Sequence, residues 1–225
     1  MARNTADALS RERIVGAAVE LLDAAGEGGL TFRALTERFK TGPGAIYWHV
    51  ANKDELLAAA TDAVLAGPAV VAEGASPEEA IRAVALGLFD AIDEHPWLAA
   101  QLSRGPFRSV TLGIFERIGQ QVQALGVPFE AQFTSASALM SYIVGAARQN
   151  AVNAANAAIA RTTQPGLDRT TFLATEASAW RSLDPAEFPF LHDIAAQFRD
   201  HDDRAQFLAG VDLILTGITA LRPPG

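Results

Sequence analysis

Helical periodicity runs along almost the whole chain, and no segment shows a sustained alternation of apolar and polar residues. The stretch after Ser76 is typical, because Ile81, Val84, Leu88 and Ile92 fall on one stripe of a helix. Glycine and proline separate the periodic stretches, and such residues end helices or turn the chain between them. A strand would require a repeat of two residues, so the sequence predicts an all-α fold.

The composition is that of a folded protein with a large apolar core and no thiol chemistry. Of the 225 residues, 49% are hydrophobic and 20% are charged, a balance that disordered chains do not have. The absence of cysteine excludes disulfides, zinc–thiolate sites and cysteine nucleophiles. The first residues lack the apolar stretch of a signal peptide, and no uncharged apolar run approaches the roughly 20 residues of a membrane span. We therefore expect a soluble, cytoplasmic protein without a membrane partner.

Two domains are expected, with the boundary at Gly67-Pro68. The last periodic stretch before it begins at Asn52, and Glu55 follows three residues later in a capping-box arrangement. Because proline cannot continue a helix, the chain changes direction at Gly67-Pro68. The prediction is an N-terminal domain over residues 1–66, whose last helix connects it to a larger helical bundle over residues 67–225.

Residues 29–53 have the pattern of a helix-turn-helix. A first short helix is interrupted by Lys40-Thr41-Gly42, and a second short helix is predicted over residues 43–49, with proline in its first turn. Leu35 and Ile46 are expected to face inward and to pack the two helices together. Such a pair, joined by a tight turn that contains glycine, places its second helix in the major groove of DNA.

The side chains expected to face outward from this segment suit DNA. Small residues lead the second helix, so its backbone can approach base edges closely, while hydroxyl and ammonium groups suit phosphate contacts. The outward residues are Pro43, Gly44, Ala45, Tyr47 and His49, and the phosphate candidates are Thr31, Tyr47 and Lys53. For His49, a phosphate contact and a cap at the helix end are both open. Trp48 is expected to be half-buried and to hold the second helix in place.

This segment resembles the TetR family of bacterial transcription regulators. The resemblance covers roughly residues 11–60 and rests on Thr31, Arg33 and Leu35, on the string Ile46–Lys53, and on Leu56-Leu57. It implies that Arg33 reads bases, that Tyr47 and Lys53 hold phosphates, and that the second helix is the recognition helix. It also implies a three-helix DNA-binding domain followed by a C-terminal bundle for ligand binding and dimerisation. Lys40 departs from the pattern, because the family usually has glycine there.

The charge of the chain leaves two functions open. A net charge of −8 is unusual for a DNA-binding protein, but both lysines lie in the first 66 residues, and DNA affinity needs only a local basic face.

The sequence contains no His-Glu-x-x-His, Gly-x-Ser-x-Gly or phosphate-loop motif, so no catalytic residue, metal site or cofactor is predicted, and an enzyme is not expected. The sequence predicts a repressor that a small molecule releases from a pseudo-palindromic double-stranded operator. The alternative is a ligand-binding or scaffolding helical protein whose helix-turn-helix is vestigial.

The C-terminal bundle is expected to bind a largely apolar or aromatic effector. The candidate pocket residues are Phe89, Trp97, Phe107, Phe115, Met140 and Asn150. Core packing is the alternative role for the apolar members of this set. An acidic effector also remains open, because Arg104, Arg108 or Arg148 could hold a carboxylate.

A homodimer is expected from the long helix that follows Pro128 and from the last helix of the chain. The long helix carries many small residues between Gly145 and Ala158, and small side chains permit close helix approach. The last helix has a broad apolar face of Leu208, Val211, Leu215, Ile218 and Leu221. Both helices are predicted to pair with their symmetry mates in a four-helix interface. The alternative is that both faces are buried within one subunit.

Overall fold

The computed structural model describes residues 9–66, 72–103, 109–163, 168–200 and 202–223, and it confirms the all-α fold. The helices are α1 (Arg11–Gly29), α2 (Phe32–Phe39), α3 (Pro43–Tyr47), α4 (Lys53–Leu65), α5 (Pro77–Glu94), α6 (Leu98–Ser103), α7 (Ser109–Ala124), α8 (Phe129–Thr163), α9 (Arg169–Arg181), α10 (Pro189–Asp200) and α11 (Asp203–Thr219). The expected junction at Gly67-Pro68 lies outside the described residues, so the domain boundary stays a prediction.

Helices α1 to α4 form the N-terminal unit around one apolar core. Ile14 of α1, Leu35 of α2, Ile46 of α3 and Leu57 of α4 are all completely buried. Because apolar burial contributes roughly 25 cal/mol for each Å² removed from water, these contacts fix the helices against one another. The inward orientation predicted for Leu35 and Ile46 is therefore correct.

Side-chain caps begin three helices of this unit. The hydroxyl of Ser10 accepts a hydrogen bond from the Arg13 amide at the start of α1, and Asn52 Oδ1 accepts one from the Glu55 amide at the start of α4. The Glu55 carboxylate reaches back to the amide of Ala51, one residue before the cap. Each cap satisfies a backbone donor that has no partner within its helix, which contributes about 1 kcal/mol.

Helix α1 is broken near its C-terminal end. Ala25 and Gly26 have non-helical backbone angles, and Gly26 lies at φ +61° and ψ −166°. That combination is essentially restricted to glycine, because a Cβ atom would collide with the backbone. The sequence predicts that glycines end the first helix here. In the structure Gly26 interrupts the helix, and a short helical segment continues to Gly29.

Helices α5, α7, α8 and α11 form the body. Ser76 and Glu79 form a capping box at the start of α5, with each side chain bonded to the other residue's backbone amide. Ile81 and Ile92 of α5 are completely buried in the core, together with Leu139 of α8. The predicted apolar stripe of α5 is therefore the stripe that packs the body.

Three ion pairs join α5 to α11 and to the residues that follow it. Arg82 Nε lies 2.6 Å from Asp212 Oδ1, Arg204 pairs with both oxygens of Asp90, and Arg222 Nη2 lies 3.0 Å from Glu78 Oε1. Exposed pairs of this kind contribute little stability, about 0–1 kcal/mol each. Their spacing along two antiparallel helices instead favours one register of α11 on α5.

Helices α9 and α10 pack mainly on each other and form a hairpin beside the body. The rings of Trp180 and Phe198 stack with centroids 4.2 Å apart, and Leu173, Ala177 and Ala195 are buried between the helices. A two-helix hairpin of this size has little core of its own, so its position depends on neighbouring contacts.

The apolar face predicted to form a dimer through α11 is mostly buried within the subunit. Val211, Leu215 and Ile218 are at most 5% exposed and pack against α5 and α8. The prediction that this face meets a symmetry mate is therefore wrong, because the apolar stripe is packed in the core of its own subunit. Leu213, on the other side of α11, is 76% exposed.

Within the part of the chain that the structure describes, no helix combines the length and apolar character needed to cross a lipid bilayer.

Candidate nucleic-acid interface

The turn between α2 and α3 depends on an unusual backbone conformation at Lys40. Lys40 lies in the left-handed region, at φ 49° and ψ 47°, and is the one non-glycine residue with positive φ among the described residues. The amide of Thr41 donates to the carbonyl of Thr36, which closes the C-terminal end of α2. Glycine adopts this conformation without steric cost, whereas other residues pay about 1–2 kcal/mol. The geometry explains why a glycine is usual here in the family that the segment resembles.

Helix α3 is shorter than the sequence predicts. It covers five residues, Pro43–Tyr47, and the predicted last two residues, Trp48 and His49, form a turn. The turn is tight because the amide of His49 donates to Ile46 O, three residues back, rather than four. The chain must then become extended at Asn52 to cap α4, which leaves no room for a further helical turn.

The leading residues of α3 present bare backbone to solvent. Pro43 and Gly44 are exposed and Ala45 is half-buried. A Cβ atom built on Gly44 would meet no atom of the protein within 4 Å. Packing inside the chain therefore does not require glycine at this position, and the missing side chain leaves the helix free to approach a partner closely.

Trp48 does not pack the second helix in place, as the sequence suggested. Its side chain is 87% exposed, which makes it one of the most exposed large apolar residues described. The error arises because Ile46 and Val50 supply the buried positions, and Trp48 lies between them on the outer side of the turn. An exposed indole at the end of a recognition helix offers an N–H donor and an apolar face to whatever lies in front of it.

Tyr47 is held by an aromatic contact. Its ring stacks on Phe32 at 4.4 Å with the planes 10° apart, and its side chain is 52% exposed. The stacking fixes the direction of the ring while the phenol group stays accessible. This is the arrangement that a phosphate contact requires.

The two candidates on α2 lie near one another on its exposed side. Thr31 caps α2 by accepting a hydrogen bond from the Ala34 amide, and its hydroxyl proton remains available to donate. The Arg33 side chain is 88% exposed, and its Nε lies 2.8 Å from Glu37 Oε1. The hydrogen bond to Glu37 raises the pKa of the Arg33 guanidinium. The contact uses Nε, so the two terminal nitrogens of the guanidinium are the donors that point beyond Glu37.

The Lys53 ammonium is hydrogen-bonded within the N-terminal unit. It donates to the backbone carbonyl of Glu27 at 2.7 Å and is partly buried. The contact ties the start of α4 to the short segment that follows the break in α1. His49, beside it, is half-buried. The DNA contacts predicted for Lys53 and His49 stay predictions.

Four of the predicted effector residues, Phe89, Trp97, Phe115 and Met140, lie in or against the hydrophobic core, so their role in binding an effector stays a prediction. Phe89 lies in the core and contacts Phe207 of α11, with the ring centroids 4.6 Å apart. Phe115 lies against Phe133 at the start of α8, and Trp97 contacts α1. Met140 is half-buried against the core, and Phe107, Arg104 and Arg108 lie outside the described residues. Asn150 Nδ2 lies 3.4 Å from Asp93 Oδ1, a weak contact between α8 and α5.

One polar residue of the body was missed by the sequence analysis. Gln101 of α6 is only 2% exposed, and its Oε1 has no hydrogen-bond partner among the described residues. An unsatisfied buried acceptor costs about 1–3 kcal/mol, so such an atom needs an explanation. A single glutamine in a short apolar helix gives no periodic signal by which to find it.

The fold and the interface together define an all-helical protein with an N-terminal helix-turn-helix DNA-binding unit and a separate helical body. Residues 14–60 match the family model described as bacterial regulatory proteins of the tetR family. Residues 72–222 match the model of the tetracyclin repressor-like C-terminal domain. The chain belongs to the tetR family, which confirms the resemblance read from residues 31–57.

Solved structures and curated proteins agree with this assignment. A TetR-type transcriptional regulator from Streptomyces coelicolor is 59% identical, with a TM-score of 0.85 over 96% of this chain and 100% of that chain. ActR from the same organism, in complex with actinorhodin, is 26% identical, with a TM-score of 0.73 over 95% and 98% of the two chains. An HTH-type transcriptional regulator from Saccharopolyspora erythraea is 32% identical over 146 residues, 64% of this chain. The match spans 62% of that regulator's length, less than two thirds.

Proposed function

We propose that the protein is a homodimeric transcriptional repressor that binds a pseudo-palindromic operator and is released by a small, largely apolar or aromatic effector. The observation that carries this proposal is the surface formed by Gly44, Tyr47 and Trp48. Packing within the chain explains neither the bare backbone at Gly44 nor the 87% exposure of Trp48. A DNA groove lined with phosphates, base edges and thymine methyl groups explains both.

Two units are needed because one short recognition helix reads only a few base pairs. The two recognition helices of a dimer enter successive major grooves, whose centres are about 34–36 Å apart. A two-fold dimer therefore matches a palindromic site. The faces left for dimerisation are the exposed sides of α8 and α11. On α8 they include Ala138, Ser141 and Gly145, and on α11 Ala209, Leu213 and Gly217. Small residues around an exposed leucine permit close contact of four helices.

A mobility-shift titration with the DNA upstream of the gene, run against unrelated competitor DNA, tests the DNA-binding part. We expect specific binding, and we expect Trp48→Ala to weaken it strongly. Phe129→Ala is the matched control, because Phe129 is 83% exposed on α8 and lies outside the helix-turn-helix. Binding no tighter than to competitor DNA would favour the alternative of a vestigial helix-turn-helix. Equal affinities of Trp48→Ala and the parent would contradict the proposed surface.

The effector part is tested separately. The similarity to ActR makes actinorhodin the first probe, measured by thermal unfolding and then by titration against the operator complex. A ligand that releases DNA must favour one conformation of the protein, and DNA must weaken its binding by the same factor. A probe that raises the melting temperature by several degrees and leaves operator affinity unchanged would contradict release by that probe.

A further inference from the structure

One carboxylate oxygen of the DNA-binding unit accepts hydrogen bonds from two side chains of the body. Asp23 Oδ1 on α1 lies 2.7 Å from His95 Nδ1 and 2.8 Å from Trp97 Nε1. A carboxylate only accepts hydrogen bonds, so both ring nitrogens carry a proton and donate to the same oxygen. Trp97 is 7% exposed and the His95 side chain 15% exposed, whereas the Asp23 side chain is 35% exposed, so the two donors are shielded from water more than their shared acceptor.

The corner that carries the two donors is stiff. His95 ends α5, where its amide donates to Ala91 O, and its own carbonyl accepts from the Leu98 amide at the start of α6. Pro96, between the two donors, fixes its φ angle near −65°. The indole and imidazole are therefore held at a fixed separation by the body, and they meet one atom of α1 together.

A second contact between the same two parts is weaker. Gln101 Nε2 on α6 lies 3.3 Å from Glu27 Oε2, and the other end of that amide has no partner among the described residues. Glu27 and Asp23 lie on opposite sides of the α1 break at Ala25 and Gly26. The stronger contact thus precedes the break and the weaker one follows it.

We propose that Asp23, His95 and Trp97 form a joint that sets the angle of the DNA-binding unit on the body. The longer Gln101–Glu27 contact adds a second, weaker link between the same two parts. Asp23 is a positioning residue and does not itself touch DNA or effector. The joint rests on the fold alone, whereas its effect on operator affinity rests on the proposed function.

Distance measurements by pulsed electron spin resonance test the joint directly. The chain has no cysteine, so Gly16→Cys on α1 and Gly119→Cys on α7 introduce two unique labels. A Cβ at either position meets no atom within 4 Å. Doubly labelled protein is diluted into excess unlabelled protein, so that only the distance within one subunit is measured whether or not the chain dimerises.

Trp97→Phe keeps an aromatic ring and removes one donor, and Asp23→Ala removes the acceptor. We expect each to broaden the narrow distance distribution, and we expect the two together to broaden it no further than Asp23→Ala alone. Asp23→Asn keeps an acceptor oxygen and should restore the narrow distribution. Trp180→Phe, in the α9–α10 hairpin, is the matched control and should leave the distribution unchanged.

A distribution that stays narrow in both Asp23→Ala and Trp97→Phe, with folding verified by circular dichroism, overturns the joint. Operator affinity is measured on the same variants. We expect Asp23→Ala to lose at least about tenfold, because it removes the acceptor of two hydrogen bonds and one such bond to a charged group alone corresponds to about that factor. Broadened distances in a protein that does not bind operator DNA would support the joint and refute the proposed function, so the two failures are distinguishable.

Discussion

Gly210→Ala should destabilise the body, because Gly210 on α11 faces the ring of Tyr142 on α8. A Cβ atom at Gly210 would lie 2.9 Å from Tyr142 Cε2 and would overlap the phenol end of the ring. The ring is not free to move aside. Its Oη donates to Phe207 O at 3.1 Å, and it stacks on the Phe207 ring with centroids 5.8 Å apart.

The size of the effect follows from three contributions. Forcing one extra carbon into a packed contact costs about 1–3 kcal/mol. Displacing the phenol breaks its hydrogen bond to Phe207 O, worth about 0.5–1.5 kcal/mol. Alanine in a helix interior gains about 1 kcal/mol over glycine, which offsets part of the loss. We expect Gly210→Ala to lower the free energy of unfolding by about 0.5–3.5 kcal/mol, and each kcal/mol lowers the melting temperature by about 2–4 °C.

Urea and thermal denaturation at fixed protein concentration measure this effect. Gly119→Ala on α7 is the matched control, because it is also within a helix and its Cβ meets no atom within 4 Å. We expect the control to be stabilised by about 0.5–1 kcal/mol, since alanine favours the helix. If Gly210→Ala were as stable as Gly119→Ala, the close packing of α11 on Tyr142 would be refuted.

The remaining predictions concern the N-terminal unit and the start of α5. Lys40→Gly should raise the free energy of unfolding by up to about 1 kcal/mol by removing the left-handed strain, as measured by urea denaturation; a loss of stability would refute that strain. Gly44→Ala should leave thermal stability unchanged or higher while weakening operator binding in a mobility-shift titration, and equal affinity would show that the bare backbone has no role. Arg33→Ala should weaken operator binding more than binding to competitor DNA, whereas equal loss would leave Arg33 a phosphate contact. The pKa of Glu79 is lowered by its hydrogen bonds to Ser76, so its contribution to stability is present above pH 4.5 and lost as the pH falls further; Glu79→Ala should flatten that part of the pH–stability curve.

Local sequence signals predicted the helix starts well. Asn52 caps α4 as expected, and Ser10 and Ser76 cap α1 and α5 in the same way, because a cap depends on one side chain and an amide three residues away. The inward positions of the helix-turn-helix were also correct, since Leu35 and Ile46 are the buried residues of α2 and α3. A capping side chain and the amide that it binds lie within four residues of each other, so the local sequence contains the whole interaction.

The sequence was a poorer guide to which partner covers an apolar helix face when more than one partner is available. Trp48 is apolar and was expected to pack, yet Ile46 and Val50 already fill the core beneath it. On α11 the apolar stripe that suggested a dimer is used by the subunit's own core, and the opposite side is left with Leu213 among small residues. Periodicity identifies an apolar face, but it does not say which of several partners will cover it.

Contacts between distant parts of the chain could not be predicted at all. Asp23 and Trp97 are 74 residues apart, and each is unremarkable in its own segment. The same holds for the three ion pairs between α5 and α11, whose partners are more than 100 residues apart. These contacts exist only because the helices have already been packed by their apolar faces, so they depend on the fold.

The acidic residues of the N-terminal unit explain how a chain with a net charge of −8 can present a DNA-binding surface. Glu37 pairs with Arg33, and Glu55 pairs with Arg11 at 3.1 Å, while Asp23 is turned toward the body. These carboxylates are therefore held by groups of the protein rather than projecting from the tip of α3, where Gly44 and Trp48 lie.

The pairing of Arg33 with Glu37 has a consequence for DNA binding. If Arg33 exchanges Glu37 for DNA, the carboxylate is left near the phosphates, and the net gain is smaller than for an unpaired arginine. Glu37→Gln should then strengthen non-specific DNA binding and steepen the salt dependence of that binding, which a titration at several salt concentrations measures. An unchanged salt dependence would mean that Arg33 keeps its partner in the complex.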